Sequence, residues 1–194
     1  KEKQITIESS MYETIDEPEE PKCCSAKLWK RALWHFFNNT ITFFCQYVSI
    51  NGLLDCSMTS AEKKNNQELF GLMTLIYQGG NLLGRLTFKI FRVSNILIIT
   101  LLQVVSFIIM FVNTWFRFIP IWGMYVLYTI CGAVGGVSYV NIFGQLTKMP
   151  NATIREREIM TNYVSISIGM SIMLASAFTL LMQNTFLHDQ CLGT

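Results

Sequence analysis

The sequence predicts an all-α integral membrane protein with about five transmembrane helices, and three observations carry that reading. Hydrophobic residues make up 51% of the 194 positions and charged residues only 14%, where a soluble domain carries about 25% charged residues. Runs free of formal charge cover positions 32–54, 93–116, 118–147 and 159–187, and one crossing of a bilayer needs roughly 20 mostly apolar residues. No segment of about ten residues alternates as a membrane β-strand would. The runs therefore read as helices, which satisfy their own backbone groups in lipid.

Residues 1–26 precede the first helix. Positions 1–20 hold seven acids and two lysines, a composition that does not bury. They read as a disordered acidic cytosolic linker to an earlier set of helices, making the chain a fragment. Within it Tyr12-Glu13-Thr14-Ile15 fits the tyrosine-x-x-bulky pattern read by endolysosomal sorting adaptors, so Tyr12 and Ile15 are sorting candidates. Cys23 and Cys24 are either palmitoylation sites or reduced thiols. The five-helix domain covers 27–188. Its first helix is the run at 32–54. The second starts at Leu69 and continues through Arg85 to Phe88, and the third, 93–116, follows the basic break at Lys89 and Arg92. A tight turn about Arg117 and Pro120 leads to the fourth, 118–147. Arg155 to Glu158 open the fifth, 159–187, and residues 189–194 form a short tail.

Lysine and arginine near the helix ends set the orientation. Nine lie on one side (Lys27, Lys30, Arg31, Arg85, Lys89, Arg92, Lys148, Arg155, Arg157) and three on the other (Lys63, Lys64, Arg117). The richer side is expected to be cytosolic, which puts the linker in the cytosol and the C-terminus in the lumen. The sequons at Asn38 and Asn151 then face no lumenal loop and should stay unmodified. Cys56 and Cys191 share the lumenal side and can pair, whereas Cys45 and Cys131 read as packing residues.

Polar residues fall into stripes along these helices. His35, Asn39, Thr42, Gln46 and Ser49 are spaced 4, 3, 4, 3, and Thr74, Gln78, Asn81 and Arg85 are spaced 4, 3, 4. Each set is one helix face. The fourth helix carries Tyr128, Gly132, Gly135, Tyr139 and Gln145, with Ser138 and Asn141 beside them, and the fifth carries Asn162, Ser165, Gly169 and Ser176. The third is the most apolar and is expected to face lipid most. Small and polar residues serve helix packing. They equally suit a water-filled cavity, and two complete stripes, one ending in an arginine, favour the cavity. Amides, hydroxyls and one guanidinium suit a small polar, anionic solute, since arginine grips phosphate or carboxylate bidentately. His35 is either a proton-coupling group or a neutral boundary residue.

No enzyme is indicated. Two histidines without a CxxC pair make no conventional zinc site, so no metal or cofactor is expected. No Gly-rich phosphate loop follows a strand, and no nucleophile elbow occurs. The basic residues flank lipid spans, which gives no support for nucleic-acid binding.

Gly135-Gly136-Val137-Ser138-Tyr139-Val140-Asn141-Ile142-Phe143 resembles the glycine-pair, Tyr-Val-Asn-x-Phe signature of the battenin family, lysosomal membrane proteins linked to juvenile neuronal ceroid lipofuscinosis. Phe44 to Tyr47, Asn51 to Leu53, Tyr77 to Gly80 followed by Arg85, Leu101 to Gln103, Trp115-Phe116 with Pro120, and Arg155-Glu156 with Gly169 and Ser171 correspond in the same order. The resemblance covers residues 28–187. It implies the second half of a major-facilitator-like transporter fold, missing its N-terminal transmembrane half. It also implies a late endosomal or lysosomal membrane and a role in glycerophosphodiester export. Arg85, Tyr77, Gln78, Tyr139 and Asn141 match the family and become substrate-wall candidates, with Asn81, Gln46 and His35 from the stripes. Gln46 and Ile166 depart from it, standing where the family is expected to carry acids. The competing expectation is a non-transporting membrane adaptor for endolysosomal trafficking and pH regulation, working through the acidic linker.

Overall fold

The computed structural model describes residues 26–58, 68–87, 93–150 and 152–187. The sorting candidates Tyr12 and Ile15, the Cys23-Cys24 pair and Cys191 lie outside the described residues. The elements are α1 (Ala26–Val48), a π-helical turn (Ser49–Leu53), α2 (Leu54–Ser57), α3 (Leu69–Leu86), α4 (Ile96–Phe116), α5 (Ile121–Thr147) and α6 (Ile154–Asn184). Every described element is helical, and the chain is an all-α membrane protein.

Local chemistry fixes the helix ends. The Asn95 side chain caps α4 by accepting from the Leu97 N–H at 3.1 Å. Arg117 ends α4 in the left-handed region at φ 49°, and its N–H returns to the Asn113 carbonyl at 2.7 Å. Asn113 Oδ1 then accepts from the Ile119 N–H at 2.8 Å, closing the expected tight turn. Pro120 sits at the N-cap of α5, where its fixed φ and missing N–H cost nothing. Thr153 and Glu156 form a reciprocal capping box at the start of α6, with bonds of 3.2 and 2.9 Å.

Three helices, α4, α5 and α6, are each long and apolar enough to cross a membrane by length and composition alone. The shortfall of α1 and α3 has a visible source. α1 gives one face to His35, Asn39, Thr42 and Gln46, which Ser49 of the π-helical turn continues, all of them buried. α3 has 18 residues and gives a sector to Thr74, Gln78, Asn81 and Arg85. Both lie along apolar partners. The most extensive contacts are α3 on α5 and α1 on α6, and α4 packs against α1 and α5.

The α3–α5 seam is built from glycines on both helices. A methyl at Gly80 or Gly84 would run into the carbonyl oxygen of Thr129 or Ala133, and one at Gly132 or Gly136 into that of Tyr77 or Asn81. The two small-xxx-small stretches therefore interlock backbone to backbone, a packing that works in lipid because it relies on close approach and not on water exclusion.

The core has three levels. One apolar cluster gathers Ala32, Phe36, Ile96, Ile142, Leu146, Met160 and Val164. A second, toward the other end, gathers Val48, Leu53, Met73, Tyr77, Met110, Tyr128 and Met182 among others. Between them α1, α4, α5 and α6 each contribute buried polar side chains, including Asn39, Thr42, Gln46, Thr100, Gln103, Ser138, Ser167 and Ser171. Asn39 Nδ2 donates to Ser167 Oγ at 2.6 Å, and Thr100 Oγ1 donates to Asn38 Oδ1 at 3.0 Å, so part of this belt is internally bonded.

Two stripe expectations change. In the spanning window α6 buries a smaller share of itself than α4, 28% against 39%, so the fifth helix and not the third is the more open. α6 turns Val164, Ser167, Ser171 and Ala175 inward, which leaves Asn162, Ser165, Gly169 and Ser176 exposed on its other side. Both faces of α6 carry serine, and it is the apolar and small residues at 164 and 175 that select the packed one.

Candidate functional site

Arg85 is the centre of the best-formed site. The Gly80 and Gly84 crossing holds α3 against α5, which brings the last turn of α3 beside Tyr139. The guanidinium carbon lies 4.6 Å from the Tyr139 ring centroid, a cation–π contact. Arg85 Nε donates to Asn81 Oδ1 at 2.9 Å, one turn earlier on the same helix. That bond orients the guanidinium plane and engages only Nε, so its two amino groups remain for a ligand. Arg85 is exposed while Asn81 is buried, so the cation is held from below and open above.

Aromatic rings form the floor. Tyr139 packs on Phe143 at 4.6 Å and edge-on against Phe43 of α1 at 6.3 Å, and Phe43 stacks on Tyr47 at 6.4 Å. The result is an aromatic wall running from α1 to α5, with one guanidinium at its α3 edge. Phe43, Tyr47 and Phe143 are absent from the site candidates drawn from sequence, although Tyr47 and Phe143 stand within the motifs that carry the resemblance. The available signal was the i, i+4 spacing of Phe43 with Tyr47 and of Tyr139 with Phe143, which stacks rings on one helix face.

The other candidates fall in different places. Tyr77 is buried on α3 against the α5 seam, and Gln78 is exposed beside it on the sector that holds Arg85. Gln46 is 1% exposed, its amide lies on Gly135, and neither its Oε1 nor its Nε2 has a partner among the described residues. Asn141 is on another side of α5. Its Oδ1 accepts from the Val93 N–H at 2.9 Å and its Nδ2 donates to the Val137 carbonyl at 2.9 Å, so it fastens the chain before α4. Gln145 helps by donating to the Val93 and Ser94 carbonyls at 3.1 and 3.0 Å. His35 faces this second region, a cavity of about 370 Å³ that Asn141, Gln145 and Lys148 also line. The structure thus brings Arg85, Asn81, Tyr139, Tyr77 and Gln78 to one side of α5, and His35 with Asn141 to another.

Cys45 and Cys131 are free and buried, and Gln103 Nε2 lies 3.1 Å from the Cys131 sulfur. Cys56 is disulfide-bonded, with its partner outside the described residues. The Asn38 sequon is buried inside α1, its side chain donating to the Trp34 carbonyl at 2.8 Å. Among the described residues no group of three or more His, Cys, Asp or Glu side chains converges as a metal site would require.

The family model described as CLN3 protein matches residues 26–188. The battenin of Dictyostelium discoideum is 27% identical over 171 residues, covering 86% of this chain and 40% of that protein. The battenin of Canis lupus familiaris is 24% identical over 148 residues, covering 75% of this chain and 33% of that protein. The chain therefore spans about two fifths or less of the curated relatives it matches. No solved structure matches.

Proposed function

Because the chain belongs to the CLN3 protein family, whose model matches most of its length, we propose that it is the C-terminal, membrane-embedded half of a battenin-like solute transporter of the lysosomal or late endosomal membrane. On this reading it is needed for export of glycerophosphodiesters, works with an N-terminal transmembrane half and has a major-facilitator-like arrangement. The chain would act by transport and not as an enzyme. The observation that carries the proposal is the Arg85 arrangement. A guanidinium oriented by Asn81 and backed by the Tyr139 ring presents a fork of donors to a phosphodiester, with aromatic surface beside it for the alcohol portions.

The orientation has independent support. Cys56 is oxidised, and disulfides persist on the lumenal or extracellular side of a membrane. Its helix end is the one that the distribution of basic residues assigns to the lumen. Arg85, in the last turn of the 18-residue α3, then lies toward the cytosolic end of that helix.

The test is efflux of labelled glycerophosphodiester from lysosomes carrying the protein, intact against Arg85→Ala, at matched membrane levels. Loss of efflux in the variant supports the transporter with Arg85 in its pathway. Equal efflux from the variant, the intact protein and lysosomes without it removes the transport reading in favour of a trafficking adaptor.

A further inference from the structure

We propose that Cys191 is the disulfide partner of Cys56, so that a covalent clasp joins the lumenal ends of the first and last long helices of the bundle. Cys56 is disulfide-bonded and has no exposed surface, so its bond is made within the chain. The chain has six cysteines. Cys45 and Cys131 are free. Cys23 and Cys24 precede α1, and the backbone is helical without a break from Ala26 to Ser57. At about 1.5 Å per residue, roughly 40 Å separates Ala26 from Cys56. A disulfide needs its two α-carbons within about 7 Å, and the three residues from Cys23 to Ala26 span at most about 11 Å. Cys191 is the one cysteine left.

The α1–α6 seam leads to the same residue. Asn39 Nδ2 donates to Ser167 Oγ at 2.6 Å, and Ser171 Oγ donates to the Thr40 carbonyl at 3.1 Å. Further along, Gly52 faces Thr179, and Gln183 Nε2 lies 3.9 Å from the Cys56 sulfur. Both numbers rise together, so the two helices run parallel and reach the same end of the bundle. Leu187 is fully buried there, in one apolar cluster with Leu53, Leu54 and Met58, which surround Cys56 in the sequence. Its N–H returns to the Met182 carbonyl at 2.9 Å, which fixes where the described chain stops. Cys191 lies four residues on, and four residues reach about 13 Å.

The chemistry is a thiol–disulfide exchange. The Cys56 and Cys191 thiols give up two protons and two electrons as their S–S bond forms, and a protein disulfide of the secretory lumen accepts both and becomes a dithiol. Cys45 and Cys131 stay reduced because they are buried between helices, out of reach of that oxidant. The seam is thus held by hydrogen bonds along its length and by a covalent bond at its lumenal end.

The test maps thiols in the full-length protein, isolated from membranes with free thiols blocked at lysis. Digestion without reduction should yield one linked peptide pair holding Cys56 and Cys191. Cys56→Ser and Cys191→Ser should each lower the melting temperature by about 5–10 °C, and the double variant no further, because one bond is lost in all three. Cys23→Ser with Cys24→Ser should change neither the linked pair nor the melting temperature. A reductant should bring the unsubstituted protein down to the variants' melting temperature and leave the variants where they are. Cys191 recovered as a blocked thiol, Cys56 linked to any other cysteine, or additive losses in the double variant would each overturn the proposal. Should a variant fail to fold, the peptide map of the unsubstituted protein decides alone. None of these readouts depends on whether the protein transports anything.

Discussion

The Gln46 side chain occupies the space that a β-carbon on Gly135 would need, so α1 and α5 approach each other through an amide laid on a bare backbone. Gly135→Ala should therefore push Gln46 aside and cost about 1–3 kcal/mol. Gln46→Leu should be near neutral or stabilising in thermal unfolding, because it removes an amide whose two ends are both unpartnered. If Gln46 is part of the solute pathway, the same variant loses flux while keeping its melting temperature. A melting-temperature loss in Gln46→Leu would mean the amide has a partner that stabilises the fold.

The interlocked glycines make a sharper prediction with its own control. Gly132→Ala and Gly80→Ala each drive a methyl into a carbonyl of the facing helix, and should detach α3 from α5 or cost roughly 1–3 kcal/mol. Gly79→Ala and Gly169→Ala meet nothing within 4 Å and should be tolerated. Expression and thermal unfolding of the four variants in detergent check the contrast, and equal behaviour across them would contradict the crossing.

The arrangement at Arg85 separates charge from geometry. Arg85→Lys keeps the charge but cannot both bond Asn81 and present a planar fork, so transport should fall toward the level of Arg85→Ala. Tyr139→Leu removes the ring beneath the guanidinium, an effect of about 0.5–1 kcal/mol, or two- to fivefold in half-saturation. Full transport in Arg85→Lys would show that only a positive charge is required.

Thr153→Ala removes the reciprocal cap of α6 and should cost about 1 kcal/mol, while Thr153→Ser should cost little. Hydrogen exchange at the first turn of α6 is the direct readout, with faster exchange expected in the alanine variant alone.

Much of the architecture is legible in the residues. Charge-free runs give the helices, Pro120 and Arg117 give the turn between α4 and α5, and the 4, 3, 4, 3 spacing gives a face of α1 that is buried along its whole length. The site is less legible, for physical reasons. Asn141 and Tyr139 are two residues apart, which on a helix is about 200°, so one fastens a connection while the other meets Arg85. A motif quoted as a string does not separate those duties. On α6, serines lie on both faces, and only Val164 and Ala175 decide which is packed. The exposure of Gln78 and the burial of Tyr77, adjacent in the chain, likewise depend on where Gly80 and Gly84 set the crossing.

The π-helical turn at Ser49–Leu53 makes the end of α1 sensitive to length as well as to composition. It widens one turn by a residue, about 100° of rotation relative to an unbroken α-helix. Tyr128 Oη donates to the Ser49 carbonyl at 3.2 Å, and Gly52 faces Thr179 of α6, so the wide turn is held from two sides. Removing a single residue between 49 and 53 would let the helix close into regular α-turns, and the missing residue would offset the lost wide turn, so that Leu54 and Cys56 keep their facing. Adding one residue there has no such compensation and would rotate everything after it by about 100°, turning buried residues aside. That end of the bundle should thus tolerate a one-residue deletion far better than a one-residue insertion, although neither alters a side chain.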